Sequence, residues 1–187
     1  MKTLKIAIRF TIVTTILLGV LYPLAVTAFA HIAMRNKADG QIILHDGTVV
    51  GSALIGQSFT GDRYFHSRPS GAGNGYDATS SGGSNLAQSN QKLVDRIQGD
   101  VATYQKQNPG QPVPIDLVTA SGSGLDPDIT PEAAIYQVHA VAAARHLSDE
   151  AVRSLVTAHT QPRQFGVLGE PRVNVLELNL ALDKVAQ

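Results

Sequence analysis

With 187 residues, a formal net charge of +0 and no cysteine, the chain has room for one domain of about 150 residues beside a short extra segment. The missing cysteines exclude a disulfide framework, a thiolate metal site and a cysteine nucleophile. Residues 1–37 carry Lys2, Lys5, Arg9, Arg35 and Lys37 and no acidic residue, leaving ten basic against fifteen acidic side chains in the remainder; an acidic domain of this kind argues against nucleic-acid binding, which needs clustered basic charge.

Residues 10–34, FTIVTTILLGVLYPLAVTAFAHIAM, hold no Asp, Glu, Lys or Arg across 25 positions. As a helix rising about 1.5 Å per residue they reach roughly 37 Å, enough for the ~30 Å hydrocarbon core with some tilt. In lipid only a helix or a closed barrel satisfies the backbone, and one isolated stretch cannot close a barrel. The stretch predicts a single transmembrane helix. Pro23 lies inside it, where its missing N–H should kink the helix; Thr14, Thr15 or Thr27 can serve the freed backbone groups or face a neighbouring helix. A tolerated kink without function is the plain alternative. A cleaved signal peptide is the rival reading of the whole stretch, with Lys2, Lys5 and Arg9 as a positive n-region and Ala28-Phe29-Ala30 as a small-residue cleavage site, but the run exceeds the usual h-region of roughly 7–15 residues. Basic residues precede the span without acidic ones, whereas Arg35 and Lys37 beyond it are soon opposed by Asp39. This bias places residues 1–9 in the cytoplasm, 10–34 in the bilayer and 35–187 outside.

After the anchor, residues 41–45 and 48–53 flank Asp46-Gly47 and predict a β-hairpin, since a type I′ turn requires φ > 0 at both central positions. Residues 63–85 are rich in Gly, Ser, Asn and Pro, a flexible-linker composition. Tyr64, Phe65 and Tyr76 embedded in them predict instead an ordered, irregular loop across the domain surface. Residues 90–107 predict a helix with Leu93, Ile97, Val101 and Tyr104 on one face, capped by Ser89 and stopped by Asn108-Pro109-Gly110. Residues 113–120 predict a short strand entered through Pro112 and Pro114, followed by a polar loop over 121–127. Thr130-Pro131-Glu132 and Ser148-Asp149-Glu150 open two further helices, packed as an αα pair. Asn174 with Glu177 resembles a capping box ahead of the stripe Val175, Leu178, Leu182 and Val185; the alternation Leu176, Leu178, Leu180, Leu182 keeps a strand open there. The expected fold is one N-terminal transmembrane helix followed by a single soluble α+β domain with a β-hairpin and about four helices.

Motifs of catalysis are missing. No lysine follows a glycine, so no phosphate loop exists, and no His precedes Glu as a His-Glu-x-x-His zinc site demands. Ser52, Ser70, Ser84, Ser121 and Ser123 lie near glycines without Gly-x-Ser-x-Gly spacing. His139 and His146 lack a third ligand nearby and read as solvated or capping residues rather than a metal site. Asp126 and Asp128 have the composition of a paired-carboxylate acid/base site, but Pro127 and the following helix start favour turn and cap roles.

Tyr22-Pro23-Leu24, GSALIGQSFTGDRYFHSRPS (51–70), SGGSNLAQSN (81–90), DLVTASGSGLDPDITPEAA (116–134) and LGEPRVNVLELNLALDKV (168–185) together span nearly the whole chain. In order and content they resemble the C subunit of the bacterial Kdp potassium-transporting ATPase. The resemblance implies a single-span, non-catalytic accessory subunit in the bacterial inner membrane. Its implied partners are a channel-like potassium-translocating subunit, a P-type ATPase subunit and a very small membrane peptide; ATP and potassium are handled by the complex. The family is also described as a proposed catalytic chaperone that raises the ATPase subunit's affinity for ATP, partly through an LSGGQ-like stretch. Here the nearest match, Leu147-Ser148-Asp149-Glu150-Ala151, lacks both glycines and the glutamine, so Leu147 and Ser148 are weak nucleotide candidates beside a plain helix cap. For a partner interface the expected residues are Pro23, Tyr64, Phe65, Arg68 and Tyr76, because aromatics and Arg are enriched in hot spots; Tyr64 and Phe65 would equally serve the domain's own core. Two other classes stay open: an anchored or secreted extracytoplasmic hydrolase using Ser and Asp from the Gly/Ser loops, and a solute-binding module.

Overall fold

The structure, a computed structural model, describes residues 1–185, which divide into two compact units, the second beginning at Gly51.

The first unit begins with one helical stretch, Lys2–Ala33, long and apolar enough to cross a membrane, with none of its most apolar window buried. It starts eight residues before the apolar run and comprises α1 (Lys2–Thr14), a π-helical segment (Thr15–Leu21) and α2 (Tyr22–Ala33). The wide turns lie immediately before Pro23, whose ring would otherwise press on the carbonyl four residues earlier. Tyr22 N–H accordingly reaches the carbonyl of Leu17, five residues back, and Thr14 Oγ1 donates to the carbonyls of Phe10 at 2.8 Å and Thr11 at 3.1 Å. The expected kink takes the form of this register change. Met34, at φ −148° and ψ 51°, breaks the helix before the short α3 (Arg35–Ala38). A hairpin of β1 (Ile42–His45) and β2 (Thr48–Ser52) follows. Its turn has φ 49° at Asp46 and 77° at Gly47, the double positive φ of a type I′ turn.

The second unit holds the expected four helices: α4 (Gln91–Gln107), α5 (Pro131–Arg145), α6 (Asp149–Ala158) and α7 (Val175–Val185). Each cap is supplied by a side chain. Thr130 Oγ1 accepts from Ala133 N–H at 3.2 Å, Ser148 Oγ from Ala151 N–H at 3.2 Å and Asn174 Oδ1 from Glu177 N–H at 3.1 Å. On α4 the cap is Asn90, which accepts from Lys92 N–H at 3.0 Å; Ser89, expected there, lies one residue too early. The Asn174 cap also settles the open choice at 175–185 in favour of the helix.

Residues 113–120 are not a strand. Val118 N–H donates to Ile115 and Leu117 N–H to Pro114, forming a 3₁₀ turn over Ile115–Leu117. Pro112 and Pro114 offer no N–H to a ladder, and the turn buries Leu117 instead. The sheet is made of three very short antiparallel strands, with β5 (Arg172–Asn174) between β3 (Asp128–Ile129) and β4 (Thr160–Gln161). Asp128 faces Asn174, and Thr160 faces Val173.

The core gathers around α5, whose Ala133, Ala134, Val138, Val141 and Ala142 are all buried. Small residues let α6, α7 and the sheet approach closely, and Val152, Val156, Leu178 and Leu182 fill the space between them. Helix α5 ends on His146 at φ 58°, with Leu147 N–H bonded to the carbonyl of Ala142 and His146 N–H to that of Ala143. This is the double C-terminal bonding of a Schellman motif with His in place of glycine.

Candidate functional site

The 63–85 loop is ordered, and the side chains that order it come mostly from elsewhere. Two buried amides hold consecutive residues. Asn179, on α7, accepts from Phe65 N–H at 2.9 Å and donates to Phe65 O at 2.9 Å. Gln137, on α5, accepts from His66 N–H at 2.8 Å and donates to His66 O at 3.2 Å. Both side chains replace a neighbouring strand, satisfying main-chain groups that burial would otherwise leave unpaired.

Further along, Ser70 Oγ donates to the carbonyl of Gly124 at 2.5 Å and accepts from Tyr76 N–H at 2.7 Å, while Gly82 N–H reaches Ser123 O at 2.8 Å. Gly124 lies at φ 66°, where an added Cβ would stand 2.6 Å from both Ala72 N and Gly82 O. Only glycine permits this approach of two backbones. The Gly/Ser composition thus serves close packing between two loops.

Among the expected interface residues, Phe65 is 0 % exposed and sits in the domain's own core, so its side chain has no surface to offer a partner. Tyr64 is half-buried. The guanidinium of Arg145 lies 4.6 Å above its ring, and its hydroxyl is 3.4 Å from Asp183 Oδ2. Arg145, with a side chain only 2 % exposed, also donates to Asp183 Oδ1 at 2.7 Å and to Arg63 O at 2.6 Å. One buried cation therefore ties loop, α5 and α7 together. Arg68 pairs with Asp126 at 3.1 Å and donates to Thr119 O at 3.3 Å. Tyr76 donates to the carbonyl of Arg68, and burial pushes its phenol up to about 12, so it stays a neutral donor at any physiological pH. Tyr64, Arg68 and Tyr76 therefore lie along one ordered ribbon, while Pro23 belongs to the other unit.

Leu147 packs against the core and Ser148 Oγ is taken by the α6 cap. Beside them Asp149 joins His139 at 3.1 Å on the rim of a groove of about 660 Å³ that Pro112, Tyr136 and Arg153 also line. Asp126 and Asp128 pair with different arginines, Arg68 and Arg172, at 3.1 and 3.0 Å. Burial pushes the Asp128 carboxyl above its ordinary range against the pull of Arg172. Of the residues a hydrolase would draw on, Ser70 and Asp126 tie the two loops together through Gly124 and Arg68, and Ser123 Oγ accepts from Leu125 N–H within its own turn. Among the described residues no group of three His, Cys, Asp or Glu is placed to hold a metal ion.

The residues that sequence reasoning missed are Gln137, Arg145 and Asn179. Each is a polar residue on an otherwise apolar helix face, the one signal available for them.

An apolar helix of bilayer-spanning length joined to an α+β domain stitched for rigidity is the architecture of a single-anchor membrane protein. The family model described as K+-transporting ATPase, c chain, matches residues 4–184, and the chain belongs to that family. A potassium-transporting ATPase KdpC subunit of Koribacter versatilis is 56 % identical over 97 % of this chain and 94 % of its own length. Those of Acidobacterium capsulatum and Methylobacterium nodulans are each 54 % identical, covering 99 % and 92 % of this chain and 100 % and 92 % of theirs.

Proposed function

We propose that the chain is the non-catalytic, single-pass accessory subunit of a bacterial potassium-transporting ATPase. It holds together a channel-like potassium-translocating subunit, a P-type ATPase subunit and a small membrane peptide in the cytoplasmic membrane. The observation that carries this reading is the extent of the family match, which over residues 4–184 takes in both the apolar helix and the whole α+β domain. The charge bias around the helix supports a cytoplasmic N-terminus and an external domain. With that orientation Leu147 and Ser148 stand across ~30 Å of hydrocarbon from cytoplasmic ATP. An effect on ATP affinity then has to be allosteric, through differential contact with two conformations of the partners. The test is potassium-stimulated ATP hydrolysis in membranes from cells lacking this chain. The activity should be lost and return on re-expression; full activity in its absence would contradict the reading.

A further inference from the structure

Between β4 and β5 the chain makes an excursion over residues 162–171 that nothing above employs. Gln164 N–H donates to Leu168 O at 2.8 Å and Leu168 N–H to Gln164 O at 2.9 Å, closing a tight tip over residues 165–167. Arg163 and Glu170 join across its base at 2.5 Å. On this braced tip Phe165 is 83 % exposed, Val167 72 % and Leu168 55 %. Phe165 moreover adopts φ 54°, a left-handed conformation that strains an ordinary residue and that Gly or Asn takes more easily. A large ring kept in water on strained backbone contributes nothing to this domain's own packing. Such a combination of strain and apolar exposure marks a surface built for contact.

We propose that residues 164–168 form a wedge that inserts into an uncharged apolar pocket on an integral subunit of the same ATPase complex, a proposal that rests on the accessory-subunit reading above. Area and charge select this occupant. Three such side chains offer apolar surface on the order of 300 Å², far below the ~800 Å² per partner of a standard interface. That is too little for a free-standing dimer of this chain. It suffices for a chain already tethered, because anchoring in the same bilayer supplies the effective concentration. A lipid surface fits poorly. Arg163 is neutralised by Glu170 and the adjoining Arg172 by Asp128, and the chain has no Trp, so the wedge lacks both the basic charge and the indole that draw loops to anionic headgroups.

The test uses the full chain co-expressed with its partner subunits. Phe165→Asn, which suits the left-handed backbone, and the triple variant Phe165→Asn, Val167→Ser, Leu168→Ser should leave the melting temperature of the chain unchanged or slightly raised. The triple variant should weaken assembly about thirtyfold, the loss expected of a hot spot. Triple-variant complex recovered at the wild-type level would overturn the wedge while leaving the accessory-subunit reading intact; a wild-type chain that recovers no partner would overturn both. In a second measurement Phe165 is replaced by the photoreactive p-benzoylphenylalanine in the intact complex. An adduct with a partner subunit supports the wedge, and an adduct only with lipid or with a second copy of this chain overturns it.

Discussion

Asn179 grips the main chain of Phe65 from both sides, accepting from its N–H and donating to its carbonyl at 2.9 Å each. The two residues are 114 positions apart, and the side chain of Asn179 is almost wholly buried. Water therefore has no access to replace these bonds. Asn179→Ala leaves two buried main-chain groups unpaired, at a cost of about 3 kcal/mol, and should lower the melting temperature by roughly 6–12 °C for a domain of this size. Amide exchange should accelerate at Phe65 and His66 before it does in α5. A melting temperature within about 2 °C of wild type would show that the pair contributes little.

A second prediction concerns Asp128, which stands 3.0 Å from Arg172 yet has its carboxyl pushed upward by burial. The folded state then holds the Asp128 proton to higher pH than the unfolded chain does. Its contribution is full below the ordinary carboxylate value of about 3.9 and is lost as pH rises through the folded value. Asp128→Asn should therefore be neutral or mildly stabilising at pH 7, despite breaking an ion pair. On acidification from neutral pH the wild type should gain on the variant. Melting curves across that range check the sign, and a wild type that loses ground in acid would contradict it.

The π-helical segment Thr15–Leu21 exists because Pro23 follows it. Pro23→Ala should let the segment return to α-helical register and change the direction in which its side chains point. Insertion should persist, since apolar length is unchanged, while the yield of assembled complex falls if the kinked helix docks on partner helices. Equal yield and transport would make the proline incidental.

Ser148 caps α6 through Ala151 N–H. Ser148→Ala should cost about 1 kcal/mol of stability and leave the ATP affinity of the intact complex unchanged. The chain has no cysteine, so Glu150→Cys, on the exposed face of α6, gives a unique label. An impermeant thiol reagent should reach it only from outside the cell. Reaction only from the cytoplasmic side would reverse the proposed orientation and restore Leu147 and Ser148 as nucleotide contacts.

Local chemistry made much of this fold legible. The Asp46-Gly47 turn, the Thr130, Ser148 and Asn174 caps and the apolar N-terminal run are each specified within a few residues. The sheet was not legible, because strands as short as Asp128–Ile129 and Thr160–Gln161 carry no periodicity and exist only through pairing with a distant β5. Pro112 and Pro114 suit a strand entrance by position, whereas their missing donors favour the 3₁₀ turn that buries Leu117. Phe65 and Tyr64 illustrate a different limit. Adjacent aromatics in one loop have different fates, Phe65 fully in the core and Tyr64 half-buried beneath Arg145, and only the positions of Asn179 and Arg145 decide which is which.

The most direct test of the account is recovery of the full, tagged chain from membranes in mild detergent. The account predicts that it elutes with a P-type ATPase subunit and a potassium-translocating subunit in fixed proportion, and that deleting residues 1–34 abolishes this by removing the tether and its effective concentration. A monodisperse chain without partners that carries a hydrolase activity of its own would contradict it.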